Sequence, residues 1–427
     1  MSYKVRIEDI ARKISIGPFG SRMKSDSYTA SGVPVIRGTN LSGGKSFTGQ
    51  WVYISDEMAN ELESCCVYSG DLVFPHRGSI GEVGIVTGDF PRYMMSSSLM
   101  KLSCDTTRAD PTFVYYFFKS NQGKHELLKN ASQVGTPGIG QPLTTLKNIE
   151  IPLPPLANQK GIALILSNLD DKILLNRQTN QTLEQMAQAL FKSWLVDYDP
   201  IHAKKEGRDT GLPPHIADLF PDEFVDSELG MIPKGWEVRS LDEIADFLNG
   251  LAMQKFPIEN EEETLPVIKI AQLKKGDTEG ADLASSNIKP EYIIYDGDVL
   301  FSWSGSLEVD IWCGGKGALN QHLFKVTSDN FPKWFYYYWT KHHLNQFQAI
   351  ASGKAVTMGH IQRKHLTEAK CIVPDKRVFN LLGSQISNVL DQQITLRLQV
   401  NSLVEIRDSL LPKLLSGEIT VGEVPQA

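Results

Sequence analysis

The stretch Leu146-Lys147-Asn148-Ile149-Glu150-Ile151-Pro152-Leu153-Pro154 returns as Leu366-Thr367-Glu368-Ala369-Lys370-Cys371-Ile372-Val373-Pro374, 220 residues further along. An Ala-Ser pair precedes each copy, at Ala131-Ser132 and Ala351-Ser352, and a long helix-forming segment follows each. Downstream, Ser167-Asn168 … Ile173 … Asn180 … Glu184 reappears as Ser387-Asn388 … Ile394 … Asn401 … Glu405. Upstream, Gly70-Asp71-Leu72-Val73-Phe74 matches Gly297-Asp298-Val299-Leu300-Phe301. Earlier still, Val5-Arg6-Ile7-Glu8-Asp9-Ile10-Ala11 matches Val238-Arg239-Ser240-Leu241-Asp242-Glu243-Ile244-Ala245 with one insertion. The offset falls from 233 to 220 along the chain, so the halves differ in loop length. A duplicated chain with unlike halves is expected to read two different things at once.

The segments after each copy carry a second pattern. Ile162, Leu166, Leu169, Ile173, Asn176, Asn180, Leu183, Ala187, Leu190 and Trp194 alternate steps of four and three. Phe379, Leu382, Ile386, Val389, Gln393, Leu396, Val400, Leu403, Arg407, Leu410 and Leu414 do the same. These are coiled-coil seams, expected over 158–195 and 378–415 and expected to pair with each other, with Asn176 and Asn180 setting the register. The alternative is two amphipathic helices, each packed on its own domain. At ~1.5 Å per residue either segment makes a rod of ~55 Å, longer than one domain of this size needs. Gly417 is placed to end the last helix.

At 427 residues the chain suits two to three domains. The expected boundaries are 1–154 and 236–374 for the repeated α/β domains, 155–196 and 375–417 for the helices, 197–235 for a connector and 418–427 for a tail. Short β-rich runs in each domain are punctuated by Gly, Ser and Asn. An aromatic helix is expected near Pro111–Ser120 and again near Pro332–Lys341, its rings in the core rather than stacking bases. Residues 1–154 hold 16 Lys and Arg against 14 Asp and Glu, whereas the connector holds 4 against 9. The net charge of −7 therefore neither demands nor forbids a nucleic-acid site. Five cysteines without a CxxC, the absence of an 18-residue apolar run and a polar N-terminus point to a cytoplasmic protein off the membrane.

Catalytic signatures are missing. Gly38 to Ser46 resembles a phosphate loop, but five residues separate Gly38 from Gly44 where the motif needs four. Leu153-Pro154-Pro155-Leu156 and Leu212-Pro213-Pro214-His215 lack the Asn or Asp that an adenine methyltransferase uses to grip a flipped base. Pro221-Asp222 and Pro374-Asp375 have no Glu-x-Lys partner of a metal-dependent nuclease. What remains is binding chemistry in loops. Cations, amides and hydroxyls that suit base edges and phosphates are Ser21, Arg22, Lys24, Arg37, Asn40, Arg77 and Ser79 in the first half. Lys255, Lys269, Gln272, Lys274, Ser302 and Ser304 are the candidates in the second.

Over nearly its whole length the chain resembles the specificity subunit of a type I DNA restriction–modification system. The resemblance lies in Gly17-Pro18-Phe19-Gly20-Ser21, Gly32 to Leu41, Gly70-Asp71-Leu72-Val73-Phe74 and Arg77-Gly78-Ser79-Ile80-Gly81. Ile151-Pro152-Leu153-Pro154-Pro155-Leu156 leading to Gln159-Lys160, and Glu228 to Trp236, carry it further. Pro374-Asp375-Lys376-Arg377 departs from the pattern in the second half. The resemblance implies an α+β fold: two homologous target recognition domains, separated by two helices pairing as an antiparallel coiled coil. It implies double-stranded DNA as ligand, two modification subunits using S-adenosylmethionine and two restriction subunits using ATP and Mg²⁺, with no cofactor in this chain. The rival readings are a coiled-coil scaffold with two protein-binding domains and a stand-alone DNA-modifying enzyme.

Overall fold

The computed structural model describes residues 3–19, 22–41, 44–45, 47–132, 137–258, 260–353 and 359–421. It forms two compact units, Met1–Leu174 with Leu403–Ala427, and Leu175–Ser402. Each unit holds one repeated domain and a stretch of both long helices.

Unit 1 opens with β1 (Tyr3–Arg6), β2 (Ala11–Ile16), β3 (Val33–Ile36), β4 (Tyr53–Ile54), β5 (Cys66–Val67) and β6 (Leu72–Pro75). It continues with β7 (Gly84–Ile85), β8 (Tyr93–Met95), β9 (Leu99–Cys104), β10 (Ala131–Ser132), β11 (Gly138–Ile139) and β12 (Glu150–Leu153). Two four-stranded sheets result, ordered β2-β9-β6-β7 and β4-β3-β8-β5. β1 closes the domain by pairing with β12, Val5 opposite Ile151. The quoted repeat is thus the strand that ties the end of each domain to its beginning. β6 and β9 are buried throughout, as strands covered on both faces must be.

The connector is more regular than its composition suggests. It contains a helix, Asp199–Lys205, and a hairpin of β13 (Phe224–Ser227) and β14 (Gly230–Pro233). Tyr198 sits in the left-handed region at φ 53°, unusual for a bulky residue. Its ring is edge-on to Phe224 and Trp236, at 6.1 and 5.9 Å, which anchors the turn.

Unit 2 repeats the domain with β15 (Glu237–Ser240), β16 (Asp246–Asn249), β17 (Thr264–Ile268), β18 (Leu283–Ser285) and β19 (Ile293–Ile294). Its later strands are β20 (Val299–Ser302), β21 (Val309–Ile311), β22 (Gly317–Leu319), β23 (Leu323–Thr327) and β24 (Lys370–Val373). The sheet orders, β16-β23-β20-β21 and β18-β17-β22-β19, are those of unit 1, and β15 pairs with β24 as β1 does with β12.

The aromatic helices differ in length. In unit 1, Pro111–Lys119 stops at Ser120, whose hydroxyl caps the next helix by accepting from Gly123 N at 3.1 Å. In unit 2 the helix runs unbroken over Lys333–Ser352, well past the expected end at Lys341. Phe113, Phe117 and Phe118 in one, and Trp334, Phe335 and Tyr338 in the other, are buried, so these rings belong to the cores. Each fully buried ring contributes roughly 2–3 kcal/mol.

The long helices span Leu156–Phe191, ending in a π turn over Lys192–Val196, and Lys376–Ser416. In unit 1, Ile162, Ala163 and Leu166 share a core with Leu411, Leu414 and Leu415, and Arg407 donates to Asp170 at 2.9 Å. In unit 2, Asn176 Nδ2 donates to Gln399 Oε1 at 3.1 Å, while Ala187 shares a core with Leu390. Within either unit, residue numbers rise on one helix as they fall on the other, so the pairing is antiparallel. Asn176 is buried and bonded across the seam, as a register-fixing amide should be. Gly417, at φ 78°, closes the last helix.

Candidate nucleic-acid interface

In unit 1 three chain segments are tied to the turn between β8 and β9. Gly17, at the end of β2, donates to Leu99 O at 2.8 Å. A Cβ on Gly17 would lie 2.0 Å from Ser96 O, so no other residue fits this close approach. Ser96 N reaches Ile36 O at the end of β3, at 2.9 Å. Beyond β6, His76 N donates to Ser98 O at 2.9 Å, and the ring's Nε2 lies 3.1 Å from Ser97 O. The 137–139 segment then docks on His76 and Gly78, through Ile139 N to His76 O and Gly78 N to Pro137 O, both at 3.0 Å.

Unit 2 repeats this frame almost bond for bond. Gly250 N donates to Leu323 O at 3.0 Å, and a Cβ there would lie 2.2 Å from Asn320 O. Asn320 N reaches Ile268 O, and Trp303 N reaches His322 O, both at 3.3 Å. Ile361 N to Trp303 O, at 2.9 Å, and Gly305 N to Gly359 O, at 2.8 Å, dock the matching late segment. Trp303 therefore stands where His76 stands, and its indole Nε1 donates to Gln321 O at 3.2 Å and to Asn249 Oδ1 at 2.8 Å.

The sequence candidates divide between exposed and engaged groups. Arg22, Lys24, Arg77 and Ser79 are exposed in unit 1, and the three cations make no ion pair among the described residues. Phe19 beside them is 75% exposed. Ser21 lies outside the described residues. Asn40 is buried: its Oδ1 accepts from Arg37 N at 2.9 Å and its Nδ2 donates to Thr48 O at 2.8 Å. The Arg37 guanidinium donates to Gln50 O, and its Nε is buried without a partner.

Lys269 and Gln272 copy that local motif in unit 2. Buried Gln272 accepts from Lys269 N at 3.3 Å, and the Lys269 ammonium pairs with Asp282. Lys274 donates to the Ser306 hydroxyl, whereas Lys255 is exposed. Ser302 is wholly buried and donates to Ser306 O at 3.0 Å while accepting from Glu308 N at 2.7 Å. Ser304, also buried, lies 2.8 Å from His322 Nδ1. Asn40 and Ser302 thus spend their side-chain polar atoms on the frame, and Gln272 spends its amide oxygen there.

Sequence reasoning passed over His76, Trp303, Gln321 and His322. The signal was available: aligning Gly70-Asp71 on Gly297-Asp298 sets His76 on Trp303. Trp303 packs against Phe324, His322 and His360, with ring centroids at 5.9, 6.1 and 6.3 Å. Burial pulls the His76 imidazole below its usual range, favouring the uncharged ring. Unit 1 thus combines exposed cations, unpaired among the described residues, with a buried imidazole, and unit 2 has an aromatic cluster with most of its candidate cations engaged.

A duplicated α/β frame with unlike loops, each copy packed with an antiparallel stretch of the helix pair, defines a protein with two recognition domains. The family model of the type I restriction modification DNA specificity domain matches residues 3–185 and 233–405, and the chain belongs to that family. It is 25% identical over 403 residues to the type I restriction enzyme HindI specificity subunit of Haemophilus influenzae, covering 83% of this chain and 87% of that one. It is 28% identical over 321 residues to the MjaIX specificity subunit of Methanocaldococcus jannaschii, covering 73% and 70%. The crystal structure of the type I restriction–modification S subunit from M. genitalium shares the fold, with a TM-score of 0.59 at 17% identity over 97% and 96% of the two chains. Among the described residues no helix is long and apolar enough to cross a membrane, and all five cysteines are free and buried.

Proposed function

We propose that this chain selects the DNA sequence on which a type I restriction–modification complex acts, each domain reading one half of a split target. The observation that carries this reading is the pair of loop frames, equal in backbone hydrogen bonds and unlike in side chains. In this reading residues 1–154 and 236–374 are the target recognition domains. Arg22, Lys24 and Arg77 hold phosphates or guanine edges in the first. Lys255 and the Trp303–His322 wall meet the second half-site.

The chain does no chemistry itself. Two modification subunits methylate adenine with S-adenosylmethionine, and two restriction subunits use ATP and Mg²⁺, all in the cytoplasm. The helix pair sets the gap between half-sites and docks the modification subunits. Sequencing the modified bases in cells that carry this chain with its partners tests the proposal. A two-part motif with a fixed gap is expected; a continuous motif, or transfer of labelled methyl groups to DNA by the purified chain alone, overturns it.

A further inference from the structure

Within unit 2 a cleft opens among the two long helices, the aromatic helix and β21. It comprises cavities of about 260 and 210 Å³ that share Arg177, Asn180 and Arg397 in their walls. The carboxylates of the cleft are already engaged. Glu184 accepts from Lys341 Nζ at 2.6 Å and from the Tyr338 hydroxyl at 3.2 Å. Asp310 accepts both arms of the Arg397 guanidinium, at 2.9 and 2.8 Å.

Donors are left over. Gln393 is only 6% exposed and lines the larger cavity, and its Nε2 makes no well-formed hydrogen bond, with the Tyr338 hydroxyl as a weak acceptor. A buried donor held this loosely has capacity for a further acceptor. Exposed Arg177 faces both cavities, and none of the described carboxylates pairs with it. The Lys341 ammonium uses one donor on Glu184 and one on Tyr337 Oη, at 3.0 Å, and keeps a third. A water molecule brings donors as well as acceptors. A group that only accepts, and carries negative charge, matches this surplus better.

We propose that the cleft binds a small oxyanion of the phosphate class, held by the Arg177 guanidinium, the Gln393 amide and the Lys341 ammonium. Bound there, the anion joins the central helix to the C-terminal helix and the aromatic helix. In unit 1 one carboxylate joins all three elements, Asp170 on the central helix taking Arg407 at 2.9 Å and the Tyr116 hydroxyl at 2.7 Å, whereas in unit 2 Glu184 reaches only the aromatic helix.

Free phosphate and a DNA phosphodiester share this chemistry. The test is isothermal titration of the full chain with inorganic phosphate at fixed ionic strength. Saturable binding is expected, weakened at least tenfold by Arg177→Gln, an exposed change, and by Gln393→Met, which fills a similar volume. Repeating the titration with saturating duplex DNA separates the sources. Lost phosphate binding means a DNA phosphate occupies the cleft, and retained binding means a free anion does. Absence of saturable binding, or binding undiminished in both variants, overturns the proposal.

Discussion

His76 and Trp303 occupy one position in two copies of the same frame, and the contrast between them runs through the two units. The backbone bonds around them match. The side chains do not: Arg22, Lys24 and Arg77 are free of ion pairs among the described residues of unit 1, whereas Lys269 is paired with Asp282 and Lys274 with Ser306 in unit 2. The attachment to the central helix follows the same rule. A carboxylate takes a tyrosine hydroxyl and a cation in each unit, but Asp170 takes Tyr116 and Arg407 while Glu184 takes Tyr338 and Lys341. Duplication kept the geometry that holds a loop in place and left the exposed loop side chains to differ.

The largest effect tests what the copies share, their mounting. One heptad inserted into both long helices keeps the seam in phase and lengthens each by ~10 Å at ~1.5 Å per residue. On B-DNA this is about 3 base pairs at ~3.4 Å each, with a rotation around the duplex. Activity on the original target should fall steeply, and any surviving target should have a longer gap with unchanged halves. Full activity at the original spacing would reduce the helices to a docking surface.

The next effect separates the two attachments. Asp170 has 14% side-chain exposure and Glu184 has 22%, and only Asp170 is paired to the other long helix. Asp170→Asn leaves the Arg407 charge without its partner on the central helix and should destabilise unit 1 by about 2–3 kcal/mol, less than the ~3–5 of a fully buried pair. Glu184→Gln should cost unit 2 about 1 kcal/mol. Hydrogen exchange resolved by unit measures both, and equal losses would erase the distinction.

How much of the chain is legible in its sequence follows from the same comparison. The duplication, the closing strands and the helix seams are legible because they depend on spacing and apolar periodicity. Asn40 and Gln272 look like base-reading amides because an amide three residues after Arg37 or Lys269 is written identically whether it meets DNA or folds back on the backbone. The Lys269–Asp282 pair is invisible because a loop, not a period, brings the two together. His76 and Trp303 stand at the ends of apolar strands, where only the alignment of the copies marks them. The cleft's buried amide, Gln393, reads as one more seam position.

The smallest effects divide frame from surface. Asn40→Ala and Gln272→Ala should each lower stability by roughly 1 kcal/mol, because a part-buried backbone donor loses its acceptor. Arg77→Ala should stay within about 0.5 kcal/mol of the parent in stability, yet lower the salt slope of DNA binding by about 1 if the guanidinium sits on a phosphate. Denaturant titration with binding measured at several salt concentrations checks all three. A stable Asn40→Ala protein with altered specificity would return that amide to the reading surface.

The central claim is that the two domains read independently. Residues 1–154 should be exchanged for the matching domain of a relative, and the modified sites of the assembled system sequenced. The account predicts that one half of the target changes while the other half keeps its sequence. A change in both halves at once would contradict it.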